Sequence, residues 1–260
     1  MRIATWNING LRARLEYLCL WLEQRQPDLV GLQELKILDE HFPHEVLEGL
    51  GYHALVYGEK AWNGVAILSR EPAEELHRGL PGQEAFGARL LSARVGSMIF
   101  ETVYCPNGKT LEHADFPRKL AWFDSLLAHW RERHQPDEDI VLCGDFNIAP
   151  DAMDSWRGAD GEGHLFHTAE ERARLAALLE LGLHDLYRYR HPEGREFSWW
   201  DYRGGAFHRG QGLRIDLLLA SAPVAERTLD VVIDRDFRKK QSGLTASDHA
   251  PVYADLDVMP

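Results

Sequence analysis

Short apolar runs recur along this chain at the lengths typical of β-strands, with helical patterns between them. Most of the runs are bounded by polar or turn-forming residues, as expected for strands. The predicted strands cover residues 2–6, 29–32, 64–69, 98–103, 140–143, 215–220 and 252–257. Some of them alternate apolar and polar residues and others are continuous. This mixture predicts a mixed sheet that is buried in part.

Longer stretches with apolar residues at helical spacing lie between these strands. They cover residues 11–26, 116–133 and 168–181. The first stretch ends at Pro27, which cannot continue a helix. The third opens with Thr168 and Glu171, the two positions of a capping box. Because strands occur in two series, each with helices, we expect two sheets packed face to face and covered by helices.

Two segments place polar side chains beside predicted strands. Asp145 and Asn147 follow the strand at 140–143, and the period of two turns both side chains the same way. Asp248 and His249 lie in a turn before the last strand. Carboxylate, amide and imidazole groups at strand ends can hold a divalent cation and a water molecule against a phosphate. Either segment alone is weak, because an Asp in a turn after a strand is usually structural.

Other strand ends carry side chains of the same kind. The additional residues are Asn7, Asn9, Glu34, Tyr104 and Asp216. Oxygen ligands of this type are those that Mg2+ prefers. Convergence of such groups at several strand ends favours a catalytic site over a set of solvated loop residues.

Segments distributed along the whole chain resemble the successive signatures of the exonuclease III family, within the endonuclease/exonuclease/phosphatase superfamily. They read TWNING, PDLVGLQELK, NGVAILSR, VYCPNG, CGDFNIAP, FSWWDYR, GLRIDLLLAS and SDHAPV, between residues 2 and 255. GDFN and SDHAP mark the superfamily, whereas WWDYR with GLRID points to its DNA-repair branch. The resemblance implies one catalytic domain over residues 1–260, with an α/β fold: a four-layered α/β sandwich of two packed mixed β-sheets flanked by helices.

The resemblance also implies a metal site at one edge between the sheets. Glu34 is expected to be the first ligand, supported by Asp248 and, through water, by Asn9. Asn7 is expected to donate a hydrogen bond that holds Asp145. The expected ligand set is Asn7, Glu34, Asp145, Asn147, Asp248 and His249. The expected cofactor is Mg2+, for which Mn2+ substitutes.

Hydrolysis of a phosphodiester requires a base for the attacking water, neutralised charge on the phosphoryl oxygens and help for the leaving group. Asp145 is the expected base, and Asn147 is expected to donate to a phosphoryl oxygen. We expect His249 to contact the phosphate while Asp216 accepts from its other ring nitrogen, which would raise the pKa of the imidazole. Tyr104 is placed to bind the phosphate or to assist the leaving group.

A pocket for a flipped-out baseless sugar is a further implication of the resemblance. Trp199, Leu213 and Ile215 are expected to line it, with Trp200 beside them. An apolar pocket too small for a base would select abasic sites without reading sequence. Arg203 lies in the loop from which family members insert a side chain into DNA.

One segment departs from the family pattern. Relatives usually read Gly-Phe-Thr or Gly-Phe-Ser before the helix that begins near residue 169, whereas this chain reads Phe166-His167-Thr168. We expect Phe166 and His167 to act as a specificity loop. Their bulk is expected to obstruct a continuous duplex and to leave a 3′ end acceptable.

Composition adds limits to this interpretation. The net charge of −12 argues against a nucleic-acid partner, because such domains are often basic, but a metal site itself concentrates carboxylates. The three cysteines show no paired spacing, which favours reduced thiols and a cytoplasmic protein. No apolar run approaches the length of a membrane span, so no membrane association is expected.

The expected function is that of a Mg2+-dependent DNA-repair nuclease acting on double-stranded DNA with abasic sites, nicks, or recessed or blocked 3′ ends. It would act as a 3′-5′ exonuclease, a 3′-end phosphodiesterase or phosphatase, and an AP endonuclease, with 3′-end processing favoured, as a monomer. One alternative is a dedicated AP endonuclease with weak 3′ trimming. A phosphatase of another superfamily branch is argued against by WWDYR and GLRID, and a non-catalytic relative by the retained acids.

Overall fold

Two six-stranded β-sheets form the centre of the molecule in this computed structural model, which describes residues 1–135 and 137–257. The strands are β1 Arg2–Asn7, β2 Leu29–Gln33, β3 His53–Tyr57, β4 Val65–Ser69, β5 Glu74–Arg78, β6 Leu90–Val95, β7 Met98–Tyr104, β8 Ile140–Asp145, β9 Leu183–Asp185, β10 Asp216–Ser221, β11 Thr228–Ile233 and β12 Val252–Leu256. The first sheet has the order β11-β12-β1-β2-β4-β3 and the second β5-β6-β7-β8-β10-β9.

The helices lie between and beside these strands, and the predicted ones are confirmed. They are α1 Leu11–Arg25, α2 His44–Gly49, α3 Asp115–Arg133, α4 Ala169–Leu179, α5 Leu186–Arg190 and α6 Ala222–Glu226. Helix α1 ends as Gln26 enters the left-handed region at φ 47°. Helix α4 has the predicted capping box: the Thr168 hydroxyl accepts from the Glu171 amide at 3.2 Å, and the Glu171 carboxylate accepts from the Thr168 amide at 3.1 Å.

Each sheet is built around one parallel pair of strands joined through a long helix. In the first sheet β1 and β2 are parallel and α1 connects them; in the second, β7 and β8 are parallel and α3 connects them. Antiparallel strands flank both pairs, β12 and β4 in one sheet and β6 and β10 in the other. This topology confirms the predicted four-layered α/β sandwich and repeats one arrangement in both halves of it.

Alternation along the strands separates the layers of the core. In β1, Ile3 packs into the core between the sheets, whereas Ala4 and Trp6 pack in the core that contains α1. In β8, Cys143 faces the space between the sheets, and Leu142 belongs to the core that contains α3. Successive side chains of a strand point to opposite faces, so each inner strand serves two cores at once.

Several strands escape the sequence-based prediction: β3, β5, β6, β9 and β11. Four of these, β3, β5, β9 and β11, are the edges of the two sheets. An edge strand is covered less completely and carries more charged side chains, so its apolar pattern is weaker. The Glu-Glu-Leu-His-Arg sequence of β5, with no fully buried position, is an example.

The described residues bear on membrane-spanning helices and on the state of the cysteines. None of their helices combines the length and apolar character needed to cross a membrane. Cys19, Cys105 and Cys143 are all free thiols, and burial raises the pKa of Cys143 to about 12. Cys143 is therefore a packing residue of the inner core.

The two sheets approach each other closely at Gly31 of β2. A Cβ atom at this position would lie 2.6 Å from the Thr102 hydroxyl oxygen and 2.7 Å from the Cys143 sulfur, which belong to the other sheet. Next to this point, the side-chain amide of Gln33 donates to the hydroxyls of Thr5, at 2.9 Å, and Thr102, at 2.8 Å. The absence of a side chain at residue 31 therefore sets the separation of the sheets.

We expect Gly31→Ala to destabilise the protein by about 1–3 kcal/mol, because the added methyl group must force the sheets apart. Denaturant unfolding measures this change. Gly49→Ala is the matched control, since a Cβ at this helical position meets nothing within 4 Å, and it should be neutral or stabilising by up to about 1 kcal/mol. Equal stability of Gly31→Ala and the unchanged protein would contradict this account of the sheet interface.

Candidate active site

Strand alternation brings the predicted site residues to one end of the space between the sheets. Asn7 continues the inward-facing series of β1, and Asp145 that of β8. Asp216 begins β10 directly opposite Asp145 in the strand register, and Tyr104 at the end of β7 is paired with Asp145 on the other side. Asn7, Asp145 and Asp216 are each at most 1% exposed.

Asn7 connects the two sheets within this site. Its side-chain amide donates to Glu34 at 2.8 Å and to Asp145 at 2.9 Å. Glu34 follows the first-sheet strand β2, and Asp145 ends the second-sheet strand β8. The predicted hydrogen bond from Asn7 to Asp145 is therefore present, and one amide group holds a carboxylate from each sheet.

Glu34, Asp145 and His249 offer ligand atoms that all lie within 4.8 Å of one another. The His249 Nε2 atom is 3.8 Å from the nearer Asp145 oxygen. The two carboxylates suit a hard divalent cation, and the imidazole can join them as a ligand only in its neutral form. These three residues belong to the predicted ligand set.

Lys36 is a member of the site that the sequence-based analysis missed. Its ammonium group lies 2.9 Å from Glu34 and donates to the Asn9 side chain at 2.6 Å. Both Glu34 and Lys36 have positive φ angles of 53°. In the sequence, only the spacing of two residues between Glu34 and Lys36 indicated this contact. The tight turn directs both side chains toward the active site.

His249 is held by Asp216, as predicted. Its Nδ1 atom is 2.9 and 3.0 Å from the two Asp216 oxygens. Burial alone would lower the pKa of His249, but the charge of Asp216 and its hydrogen bond outweigh this and raise the pKa to about 10. The imidazole is therefore a cation at neutral pH. The Ser198 hydroxyl accepts from the Asp216 amide at 3.1 Å and fixes the start of β10.

In Asp145, unlike in His249, burial raises the pKa. Burial, together with the nearby charges of Asp216 and Glu34, raises its pKa to about 7, although His249 and Asn7 act against the shift. One Asp145 oxygen also accepts from the Asn147 amide at 2.9 Å. A carboxyl group balanced near neutrality can accept a proton during a reaction.

Tyr104 and Asn147 lie beside this pair. Burial, and then the charges of Glu34 and Asp145, raise the pKa of Tyr104 well above its usual value, so the phenol keeps its proton. The Asn147 side-chain amide donates to the Cys105 carbonyl at 3.0 Å. The second N–H group of the Asn147 amide and the hydroxyl of Tyr104 are therefore available to donate to a phosphate.

Asp248 contacts the site from its other side. Its two oxygens accept from the Asn9 amide at 2.8 Å and from the Trp199 indole at 3.0 Å. These contacts and the charge of His249 overcome burial and lower the pKa of Asp248. Among the described residues, Asp248 does not join the three-residue cluster that could share an ion. Its role as a ligand is left as an expectation.

The residues expected to form the DNA pocket differ in their exposure. Trp199 lies beside His249, with 6.4 Å between ring centroids. Leu213 and Ile215 are 4% and 2% exposed. Trp200 was expected beside the pocket but is a core residue, 2% exposed, because strand alternation turns it away from Trp199 and onto Phe207. Arg203 is exposed in a short 3-10 turn, Arg203–Gly205.

The specificity loop also differs from expectation. His167 does not present its ring to the surface: it is 3% exposed, and its nitrogens contact the Leu165 carbonyl at 2.8 Å and the Ser155 hydroxyl at 2.9 Å. The expected obstruction by His167 itself is therefore wrong, because hydrogen bonds hold the ring beneath the loop. Phe166 is half-buried with φ 72°. His167 thus braces the loop that carries Phe166.

A buried ion pair supports the loop after β8. The Lys119 ammonium of α3 donates to the Asn147 carbonyl at 2.7 Å and to the carboxylate of Glu171 in α4, and both side chains are fully buried. Glu171 is also the second residue of the α4 capping box. The ion pair therefore connects helices α3 and α4 to Asn147. In the sequence, the predicted capping box indicated the position of Glu171 but not its pairing with Lys119.

A cleft of about 580 Å3 opens beside Glu34. Its walls include three cationic side chains, Arg89, Lys109 and Arg118. Trp62, which is 70% exposed, is part of the same lining. The carboxylates of Glu59 and Asp115 also line the cleft, and Asp115 pairs with Lys109 and Arg118. Basic side chains that contact a phosphodiester backbone and an aromatic ring that stacks on a base are both present in this lining.

Comparison with known proteins agrees with this geometry. Residues 4–249 match the Endonuclease/Exonuclease/phosphatase family. The chain is 36% identical to exodeoxyribonuclease III of Haemophilus influenzae, over 98% of this chain and 100% of the relative. It is 31% identical to an exodeoxyribonuclease of Bacillus subtilis, over 99% and 100%. The chain belongs to the exonuclease III family.

Solved structures of this family superpose on nearly the whole chain. A 3′-5′ exonuclease from Neisseria meningitidis has a TM-score of 0.93 and 38% identity, over 99% of this chain and 100% of that one. An AP endonuclease from Archaeoglobus fulgidus has a TM-score of 0.95 and 34% identity, with the same coverage. The exonuclease III family is metal-dependent, and the protein is an enzyme of its nuclease and phosphodiesterase class.

The His249–Asp216 pair generates a titration test. In Asp216→Asn the imidazolium loses its negative partner, so the pKa of His249 should fall from about 10 by more than about 1 unit. NMR titration of the ring measures it directly. Asp160→Asn, an exposed change in a distant loop, should leave the value in place. An unmoved His249 titration in Asp216→Asn refutes the electrostatic role of Asp216.

Proposed function

We propose that this enzyme is a Mg2+-dependent DNA-repair nuclease that processes 3′ ends and cleaves at abasic sites in double-stranded DNA. The observation that carries the proposal is the meeting of Glu34, Asp145 and His249 at the edge between the sheets, with Asn7 joining both carboxylates. Relatives that match the full chain carry the names of DNA exonucleases. The protein would work as a monomer in the cytoplasm.

The residues divide the chemistry among them. Asp145 takes a proton from the attacking water, since it is buried and its pKa is near neutrality. His249, kept cationic by Asp216, contacts the scissile phosphate. Asn147 donates to the phosphoryl oxygen on which charge grows, and Tyr104, which keeps its proton, donates to the phosphate or the leaving oxygen.

A divalent cation fits the cluster around Glu34. When bound, it would supply neutralising charge for the phosphoryl oxygens. Glu34 provides the most accessible carboxylate, with its side chain 17% exposed. The ammonium group of Lys36 contacts the same carboxylate, so it and a metal cation would compete for one Glu34 oxygen.

The cleft beside Glu34 offers a path for the DNA strand. Arg89, Lys109 and Arg118 would contact backbone phosphates, and Trp62 would stack on a base. On the other side of the cluster, Trp199 and Arg203 would meet the duplex around the lesion, with Trp199 fixed by its bond to Asp248. The negative net charge is compatible with this, since the contacts are local.

The preference for 3′ ends is the finer part of the proposal. A 3′ phosphatase from Neisseria, solved with a product DNA hairpin, is 38% identical with a TM-score of 0.93 over 99% of this chain. In this chain the loop at Phe166 is braced by two His167 contacts. A braced loop would hinder continuous duplex more than a strand that ends at the site. The alternative, a dedicated AP endonuclease, is favoured by the Archaeoglobus neighbour.

One substrate set tests the proposed function. Labelled duplexes carrying an internal abasic site, a recessed 3′ end or a 3′-phosphate are compared with Mg2+, Mn2+ and EDTA. We expect cleavage with Mg2+ or Mn2+, none with EDTA, and faster reaction at 3′ ends than at the abasic site. Faster abasic incision would establish the alternative instead, and hydrolysis of small phosphoesters without DNA cleavage would overturn the nuclease proposal.

Asp145→Asn separates chemistry from binding. The substitution keeps the shape of the side chain and removes the base, so cleavage should fall by on the order of 10³-fold while DNA affinity survives. Single-turnover rates and equilibrium binding are measured on the same duplex. A parallel loss of affinity and rate would assign Asp145 to binding or folding.

Glu34→Ala tests the metal site. Removing an anionic ligand should lower activity at limiting Mg2+ by at least roughly 10²-fold, with partial recovery at excess metal. Glu40→Ala, a nearby exposed change, is the control and should behave as the unchanged protein. If Glu34→Ala keeps the same Mg2+ dependence, Glu34 is not a ligand.

A further inference from the structure

We propose a second metal site, of the zinc class, formed by Glu101, His129 and His134 and separate from the active site. Their ligand atoms all lie within 4.8 Å of one another. Two imidazoles and one carboxylate are a donor set typical of Zn2+ with an open fourth position. None of the three residues has a role in the proposed reaction.

The site lies in the layer between the second sheet and α3. Glu101 is in the middle of β7, on the same face as Ile99 and Val103, which pack in the core that contains α3. His129 is in the last turns of α3, and His134 caps its C-terminus. Glu101 precedes Tyr104 by three positions, about 10 Å along the strand, and faces the opposite side of the sheet.

A fully buried carboxylate in an apolar layer needs compensation. One Glu101 oxygen accepts from the Trp130 indole at 2.8 Å. The other has no hydrogen-bond partner among the described residues, and neither do the ring nitrogens of His129 and His134. Unpaired buried polar atoms destabilise a folded protein. The convergence of a Glu101 oxygen with one nitrogen from each ring is the feature that a shared ion explains.

The distances suit a tetrahedral ion after a small adjustment. The free Glu101 oxygen is 3.6 Å from His129 Nε2 and 3.9 Å from His134 Nε2. Zinc bonds of about 2.0–2.1 Å in tetrahedral geometry separate two donors by about 3.3–3.4 Å. The two carboxylate-to-imidazole separations must therefore close by a few tenths of an ångström, a change that rotation of the side chains can supply.

The donor types agree with this geometry. A metal binds the ionised carboxylate and the neutral imidazole, so Zn2+ at this cluster would displace any proton from the coordinating ring nitrogens. Imidazole nitrogens favour Zn2+ over Mg2+.

A route and a fourth ligand are available. His134 lines a surface cavity of about 170 Å3 together with Trp130 and Gln135. Water in this cavity would complete the coordination. His77 is a close neighbour, with its ring 5.3 Å from that of His129, but its Nε2 atom contacts Arg133 at 3.2 Å. An ion at this point would join the end of α3 to the centre of β7 and stabilise the packing of the helix.

The test is Zn2+ binding by the chelator-treated full chain, followed by metal analysis and thermal unfolding. We expect His134→Ala to bind one Zn2+ fewer than the unchanged protein, to lose at least about 100-fold in affinity at that site, and to lose the Zn2+-induced rise in Tm. Glu34→Ala should keep this rise. His208→Ala, which removes an exposed imidazole elsewhere, should behave as the unchanged protein.

Nuclease activity separates this proposal from the proposed function, since His134→Ala should retain Mg2+-dependent turnover. X-ray absorption of Zn2+-loaded Glu34→Ala protein keeps the test decisive if His134→Ala does not fold. We expect two imidazole ligands and one carboxylate in its spectrum. A Zn2+ stoichiometry unchanged in His134→Ala, or a spectrum without paired imidazoles, overturns the proposal and leaves the cluster a buried ion pair.

Discussion

The side-chain amide of Asn7 is the contact on which the active site depends. Glu34 and Asp145 come from different sheets, and a half-buried and a buried carboxylate at close range repel each other. Asn7 donates to both, at 2.8 and 2.9 Å, and each bond to a charged acceptor contributes about 1.5–3 kcal/mol. The close approach of the sheets at Gly31 makes this reach possible. The packing of the two sheets therefore also fixes the positions of the catalytic groups.

Much of this arrangement was predictable because it follows from strand periodicity. The period of two places Asn7, Asp145 and Asp216 on inward faces, and continuous apolar runs mark the central strands that carry them. The capping box at Thr168 was predictable from local sequence, whereas the pairing of His249 with Asp216 was expected from convergent strand ends and the family resemblance. The layers of the sandwich follow from parallel strands that need a covering helix between them.

Other features depend on contacts that sequence patterns do not encode. The edge strands were missed because partial exposure weakens their apolar pattern. Trp200 was expected beside the abasic-site pocket and His167 in the loop that faces the DNA, but packing and tertiary hydrogen bonds direct both side chains inward. Lys36 reaches Glu34 only because two positive φ angles fold the turn back. The Glu101 cluster combines a strand residue with two residues that follow it by 28 and 33 positions, a spacing that carries no motif.

The pairing of β1 with β12 has a consequence for synthesis of the protein. The first sheet is closed by the earliest and the latest of its central strands, Arg2–Asn7 and Val252–Leu256. Asp248 and His249 lie just before the second of these, so a nascent chain that has not yet emerged to this point lacks both. Such a chain lacks both a strand of the first sheet and part of the active site, so cleavage requires synthesis past Leu256.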